Sequence, residues 1–214
     1  MVASGLAPSY QKLEAEVQKS YPDLRLVDRN GQPLFRGSFP VRHDGDEIDR
    51  FQIEISFPDG INRLPAIREV GGRIPRDSDH HVNAGTGDIC TDVPELILLR
   101  GQPSLVEYLD GPVRNFFLSQ IIVASGKSWP FGQWDHGKKG LLQAYGELLG
   151  VSEERQILAY LDYVASKKAK GHWPCPCGSM KRLRDCHAKQ IAELRERIPR
   201  RIAASALKRL NEYP

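Results

Sequence analysis

The chain has 214 residues, 40% of them hydrophobic and 27% charged, with a formal net charge of +3. That size admits one large domain, or a medium domain with a small appendage, and the apolar fraction is sufficient for a substantial core. No apolar run approaches the roughly 20 residues that span a bilayer, and MVASGLAPSY lacks the basic and long apolar regions of a secretory signal, so a soluble, cytoplasmic protein with no membrane partner is expected.

In chain order, Tyr10, Leu13 and Val17 follow helical spacing between Pro8 and Pro22, which predicts an N-terminal helix over Ser9 to Ser20. Asn30-Gly31 lies between short apolar stretches within Leu24 to Val41 and predicts a hairpin. FQIEISF at 51–57 alternates apolar and polar residues, as a strand with one covered face requires. Pro58, Asp59 and Gly60 then force a turn, and LPAIREVGG offers a further short strand. Past Cys90 the apolar spacing becomes helical: Leu105, Val106 and Leu109, a break at Gly111-Pro112, then Phe116, Phe117 and Ile121 to Val123. Leu141, Leu142, Tyr145, Leu148 and Leu149 form another amphipathic face. Ser152, followed by Glu153 and Glu154, reads as the N-cap of a helix whose inner face holds Ile157, Leu158, Leu161 and Val164. KKAKG at 167–171 reads as a linker, and a last helix is expected from about Ala188 to beyond Leu207, kinked or broken at Pro199. The order is helix, strand meander, loop, helices, an α+β plan.

The charge is uneven along this plan. Residues 167–214 hold 13 Lys or Arg against 4 Asp or Glu, a balance of +9, and the remainder carries −6. A basic tail of this kind suits nucleic acid, an acidic protein or no partner at all, and charge alone does not choose.

The four cysteines divide into Cys90 alone and a trio at Cys175, Cys177 and Cys186, unlike the dispersed pairs of a disulfide scaffold. Cys90 ends HHVNAGTGDIC, a loop rich in glycine and polar residues. The run His81-Val82-Asn83, a glycine-containing turn, then Ile89-Cys90-Thr91-Asp92 resembles the active-site region of the ubiquitin-conjugating enzyme family, which shows His-Pro-Asn, a short turn and Ile-Cys-Leu-Asp. At a coarse level the resemblance extends over residues 8 to 150. It implies a UBC-like antiparallel meander flanked by helices, with Cys90 as the acyl-carrying nucleophile, Asn83 as the amide that meets an oxyanion or holds the loop, and His81 as loop support. The chemistry suits those residue types: a thiolate takes an acyl group from another thioester and releases it to an amine. Against the family pattern, Val82 replaces proline, Thr91 replaces leucine, and the tryptophan with Ser-Pro that commonly follows the cysteine is absent. SWPFGQWDHG at 128–137 looks instead like the divergent bacterial members; its Trp129, Trp134 and His136 read as a functional loop or as a packed lid, with packing preferred. The plain alternative for Cys90 is a small buried hydrophobe.

CPCGSMKRLRDCH at 175–187 closely resembles the SEC-C type of zinc-binding motif, with Cys175, Cys177, Cys186 and His187 at its ligand positions. Three thiolates and one imidazole would close a structural zinc shell and leave no place for a catalytic water. Met180 stands where that motif has a glycine, and Lys181, Arg182 and Arg184 make either a recognition surface or a solvated basic face. His172 and Trp173 flank the cluster as supporting or packing groups.

The expected domains are a conjugating-enzyme-like catalytic domain over 1–150, a helix and linker over 151–171, and a helical zinc module over 172–214. The leading reading is a conjugating-type enzyme of bacterial antiphage defence. The family's partners would be an adenylating activating enzyme, a ubiquitin-like modifier or a cyclic-nucleotide synthase as cargo, and a protein target. The competing readings are a noncatalytic adaptor and a nucleic-acid-binding protein that uses the basic tail; for the latter no aromatic–basic stacking array is evident in the sequence.

Overall fold

The structure, a computed structural model, describes residues 7–60, 63–130, 134–135 and 137–213. It is α+β and separates into two compact units, Met1–Asp92 with Gln102–Gly132, and Val93–Gly101 with Gln133–Pro214. The chain passes from one unit to the other after Asp92, Gly101 and Gly132; the boundaries read from the sequence were at 150 and 171.

In the first unit, α1 (Pro8–Ser20) begins with Pro8, whose missing N–H is no loss at a helix start. Four strands follow: β1 (Leu24–Arg29), β2 (Gln32–His43), β3 (Asp46–Ser56) and β4 (Ala66–Glu69), paired antiparallel in the order β1-β2-β3-β4. Asn30-Gly31 and Asp44-Gly45 make the two-residue turns, all four residues at positive φ as a hairpin matched to strand twist requires. The second hairpin lengthens β3 at its start beyond the alternating segment at 51–57. Phe51, Ile53 and Ile55 turn to the core and are at most 3% exposed. There Phe51 lies 4.6 Å from Phe117, ring centre to ring centre, and Phe39 and Tyr21 continue the aromatic stack.

The outer face of the sheet buries one acid. Glu54 is paired with Arg29 and, at 3.2 Å, with Arg36, and the Arg29 hydrogen bonds hold its carboxyl below the usual range against the opposing effect of burial.

Gly111-Pro112 does not break the helical segment. α3 (Leu105–Tyr108) runs through a π-helical turn, Leu109–Val113, into α4 (Arg114–Ala124). The wider turn accommodates Pro112, which has no N–H to donate, while burial of Tyr108, Leu109, Val113, Phe116 and Phe117 holds the segment on the sheet.

In the second unit, α2 (Pro94–Leu99) joins α5 (Gly137–Leu149), α6 (Glu154–Ala165), α7 (Ala188–Arg197) and α8 (Arg200–Glu212) around one core that includes Tyr145, Leu149, Ile157, Tyr160, Leu161, Leu194, Ala203 and Leu210. Ser152 is not the N-cap of α6: Glu153 occupies that position in extended backbone, with no side-chain capping bond. The terminal helix is broken at Pro199, as expected, because α7 ends before Ile198 and α8 begins after the proline. Among the described residues no helix is long and apolar enough to cross a membrane.

Candidate functional sites: the Cys90 loop and the Cys–His cluster

Cys90 owes its exposure to the sheet. Past β4 the chain turns through a glycine pair held by Glu69, whose carboxylate accepts backbone N–H groups from Gly71 (2.7 Å), Gly72 (3.0 Å) and Arg73 (3.1 Å). It then returns so that Ile89 N–H donates to Ile67 O of β4 at 2.8 Å. Alternation along that extended stretch buries Ile89 and exposes Cys90. Buried small hydrophobe is therefore the wrong description of this cysteine.

The preceding turn is fixed almost entirely by backbone groups. Val82 bridges Ile89, Cys90 N–H donates to His81 O at 2.8 Å, and Asn83 N–H donates to Asp88 O at 2.9 Å. Inside the turn, Gly87 N–H reaches Asn83 O at 2.7 Å, and Asn83 Oδ1 accepts from both Gly85 and Thr86 N–H at 2.9 Å. Asn83 thus holds the loop through its amide oxygen, and these bonds leave its NH2 hydrogens uncommitted. Gly87 sits at φ 75, and a Cβ there would lie 3.2 Å from the Arg76 guanidinium carbon.

His81 supports the loop through its backbone: it has φ 53, its carbonyl receives Cys90, and its ring meets Trp129 edge-on at 4.7 Å. Trp129 accordingly packs against the loop, and Trp134 packs in the second unit's core, whereas His136 lies outside the described residues. Val82 N–H donates to Asp77 O at 3.0 Å, a bond that a proline at this position could not make.

Several supports were not evident from the sequence. Gln120, buried on α4, donates to His80 O at 2.6 Å, and Asp77 accepts His80 N–H at 2.9 Å and meets its Nδ1 at 2.7 Å. The His80 side-chain bond holds the Asp77 carboxyl below its usual range. Thr91 Oγ1 and Tyr108 Oη are 2.9 Å apart. Burial, joined by the neighbouring Cys90 and Asp92 charges and opposed by the Thr91 bond, raises the Tyr108 phenol, so it stays protonated at neutral pH. The sequence did carry a signal for this helix: Ser104-Leu105-Val106-Glu107 is a capping box, with both reciprocal bonds formed.

The second site brings together Cys175, Cys177, Cys186 and His187, whose donor atoms all lie within 4.8 Å of one another. Cys175 Sγ and Cys186 Sγ are each 3.2 Å from His187 Nδ1, and Cys177 Sγ is 3.7 Å from Cys186 Sγ. Tetrahedral bonds of about 2.3 Å to sulfur and 2.0–2.1 Å to nitrogen place donors roughly 3.5–3.8 Å apart. The four residues can therefore hold a metal with little adjustment.

A short ribbon builds this cluster. Cys175 N–H donates to Lys181 O, Leu183 N–H to Trp173 O (each 2.8 Å) and Arg184 N–H to Gly171 O (3.0 Å), around a bridge between Pro174 and Arg182. Met180 turns the tip at φ 62, the left-handed conformation that the motif's glycine would adopt without strain. α6 supports the ribbon from below: Gln156 Nε2 reaches Cys177 O at 3.4 Å, Tyr163 Oη donates to Pro174 O, and Tyr160 donates to Gln190 Oε1 at 3.2 Å while its ring faces His187. Trp173 packs edge-on against Tyr163, 5.6 Å between ring centres. His172 is exposed and lies outside the donor cluster.

No family model matches the chain, and neither a curated protein nor a solved structure matches it.

Proposed function

We propose that the protein is a ubiquitin-conjugating-like acyltransferase that carries the C-terminus of a ubiquitin-like modifier or partner protein as a thioester on Cys90. The observation that carries this reading is an exposed thiol at the end of a backbone-locked loop that returns, after a 20-residue excursion, to the last strand of a four-stranded antiparallel meander that follows an N-terminal helix. That order of elements is the one the sequence resemblance calls for, and a structural cysteine gains nothing from such exposure.

In the first step the Cys90 thiolate attacks the carbonyl of a thioester held by an adenylating activating enzyme, whose own thiolate departs. In the second, an amine attacks the Cys90 thioester, loses a proton to solvent or a base, and expels the Cys90 thiolate. No oxidant or reductant is needed. The chain's part is to hold the thioester in one place: the Asn83 turn and the Val82–Ile89 bridge fix the backbone around the sulfur. The uncommitted Asn83 NH2 hydrogens are available to the tetrahedral oxyanion, where one lost donor costs about 3 kcal/mol in other enzymes. The cargo, by the same resemblance, is a ubiquitin-like protein or a cyclic-nucleotide synthase, in a cytoplasmic antiphage system.

The Cys–His cluster belongs to the same proposal as a structural zinc site. Three sulfurs and one nitrogen within 4.8 Å of one another favour zinc among the common metals, and four protein ligands leave no open position for chemistry. When bound, the ion would cross-link the ribbon to the start of α7.

The test is a nonreducing gel with intact-mass analysis after incubation with ATP, an activating enzyme and a candidate modifier, comparing the native chain with Cys90→Ala. A reductant-sensitive adduct that requires Cys90 is expected. A charged activating enzyme that leaves the native chain unmodified would defeat the reading and favour a noncatalytic adaptor.

A further inference from the structure

We propose that the ribbon at the Cys–His cluster is a binding surface for single-stranded nucleic acid, with Lys181, Arg182 and Arg184 on phosphates and Met180 against a base. This surface is separate from the Cys90 chemistry and does not depend on it.

Four observations converge. The first is strain spent on exposure. Met180 is 90% exposed, far more than Ile48 at 46% and Tyr213 at 41%, the other exposed large hydrophobic residues among those described. It also holds a left-handed backbone that costs an L-residue energy. A long apolar side chain at the tip of a hairpin-like ribbon, in a conformation that suits glycine, makes no packing contribution to explain it, and such outliers cluster at functional surfaces.

The second observation is charge without internal partners. Lys181, Arg182 and Arg184 follow Met180 directly and are exposed. Among the described residues Arg184 meets Asp185 only at 3.7 Å, both groups being solvated, and Lys181 and Arg182 have no carboxylate partner. The same holds for Lys167, Lys168 and Lys170 on the approach to the ribbon.

Third, the cations are placed by backbone and not left on a loose tail. The Arg184–Gly171 and Cys175–Lys181 hydrogen bonds fix the ribbon, and the absence of a side chain at Gly171 admits the Arg184 stem, since a Cβ there would lie 3.2 Å from Arg184 Cβ. Arg195 donates to Tyr163 O (2.7 Å) and Lys167 O (3.1 Å), and Arg200 to Ala165 O (3.1 Å), so two further guanidinium groups sit at the end of α6 beside the lysines.

The last observation selects the ligand. The core of a protein–protein interface is depleted in charge and enriched in aromatic and apolar groups; this ribbon exposes one methionine among cations, with Trp173 half-buried behind it. That composition suits a flexible phosphodiester chain, held by charge along its backbone and touched by one soft apolar group at a base.

The experiment is fluorescence anisotropy of the metal-loaded full chain with labelled 20-nucleotide single-stranded RNA and DNA across a salt series. Saturable binding is expected, and Lys181→Ala/Arg182→Ala/Arg184→Ala should flatten the slope of log K against log salt by about 2. A control that removes equal charge elsewhere, Lys12→Ala/Lys19→Ala/Lys127→Ala, should leave the slope within about half a unit of the native value. Met180→Gly, which relieves the backbone strain and removes the sulfur's contact with a base, should weaken binding about fivefold. Circular dichroism and metal content verify that each variant is folded. A preference for RNA would add the 2′-hydroxyls to the contacts, and a preference for DNA would exclude them; either supports the proposal. It is overturned if the native chain shows no saturable binding at 50 mM salt, if both triple variants lose affinity equally, or if polyaspartate of equal charge displaces the oligonucleotide as well as unlabelled RNA or DNA does.

Discussion

Replacing Glu95 by Gln should destabilise the second unit far more than its position on a six-residue helix suggests. Glu95 is 1% exposed on α2, yet three side chains from two other helices reach its carboxylate. Tyr145 Oη of α5 donates at 2.8 Å, Ser205 Oγ of α8 donates at 2.7 Å, and Arg209 Nε of α8 lies 3.3 Å away. Burial alone would raise the carboxyl, but the Ser205 bond, the Arg209 charge and the Tyr145 bond outweigh it and hold it below the usual carboxylate range. Burial, joined by the same carboxylate, pushes the Tyr145 phenol upward. Each hydrogen bond to a charged acceptor contributes about 1.5–3 kcal/mol, against about 0.5–1.5 for a neutral one. Glutamine keeps one acceptor oxygen but turns an NH2 toward groups that are themselves donors, so a loss of about 2–4 kcal/mol follows from these differences. In a unit of under 100 residues this lowers the thermal midpoint by roughly 10–20 °C. The pH dependence has a definite sign: a carboxyl whose folded pKa is depressed adds stability that is present above its unfolded value of about 4.3 and is lost as pH falls through the folded value. The gap between native chain and Glu95→Gln should therefore be widest at pH 6–7 and narrow below about pH 4. Thermal unfolding followed by near-ultraviolet dichroism at several pH values measures both quantities. A gap below about 1 kcal/mol that does not change with pH would refute the assignment of Glu95 as a charged cross-link.

Met180→Gly should raise stability by about 1 kcal/mol, the relief of left-handed strain less the extra freedom glycine gives the unfolded chain, read as a higher thermal midpoint of the metal-loaded protein. Chelation should remove about one metal equivalent and destabilise the second unit by several kcal/mol, with Cys175→Ser more damaging than Cys186→Ser because Cys175 is 4% exposed within the core and Cys186 is exposed; metal analysis alongside dichroism reports both. Val82→Pro should cost about 1–3 kcal/mol and slow the transfer proposed for Cys90, because it removes the bond to Asp77 O and places a proline after His81 at φ 53; hydrogen exchange across residues 80–90 together with the charging assay follows the two effects.

Much of the first unit was legible because its signals are local. Helical spacing after Pro8, Asn30-Gly31 in a two-residue turn and the alternation at 51–57 each depend on neighbours within a few residues. The Cys–His cluster was legible for the same reason, its four side chains falling within thirteen residues. Gly111-Pro112 misled because a local helix breaker is overridden by packing: Leu109, Val113 and Phe117 are fully buried and hold the chain helical through a π turn. α2 was missed because PELILL is too short to display a period and its N-cap, Val93, offers no side-chain bond. Glu95 had no signal at all, since its partners lie 50, 110 and 114 residues away.

The two departures from the expected motifs show what a pattern of residue types leaves out. Valine replaces proline at 82 and methionine replaces glycine at 180, and by residue type both weaken the resemblance. Val82 keeps the loop by adding a backbone hydrogen bond that proline would forfeit, so the local geometry is stabilised in a different way. Met180 keeps the ribbon's turn by adopting glycine's conformation at an energetic cost, with its side chain projecting into solvent. The first substitution accounts for itself within the fold. The second does not, and an uncompensated local cost beside unpartnered cations is the reason to look for its return in a ligand.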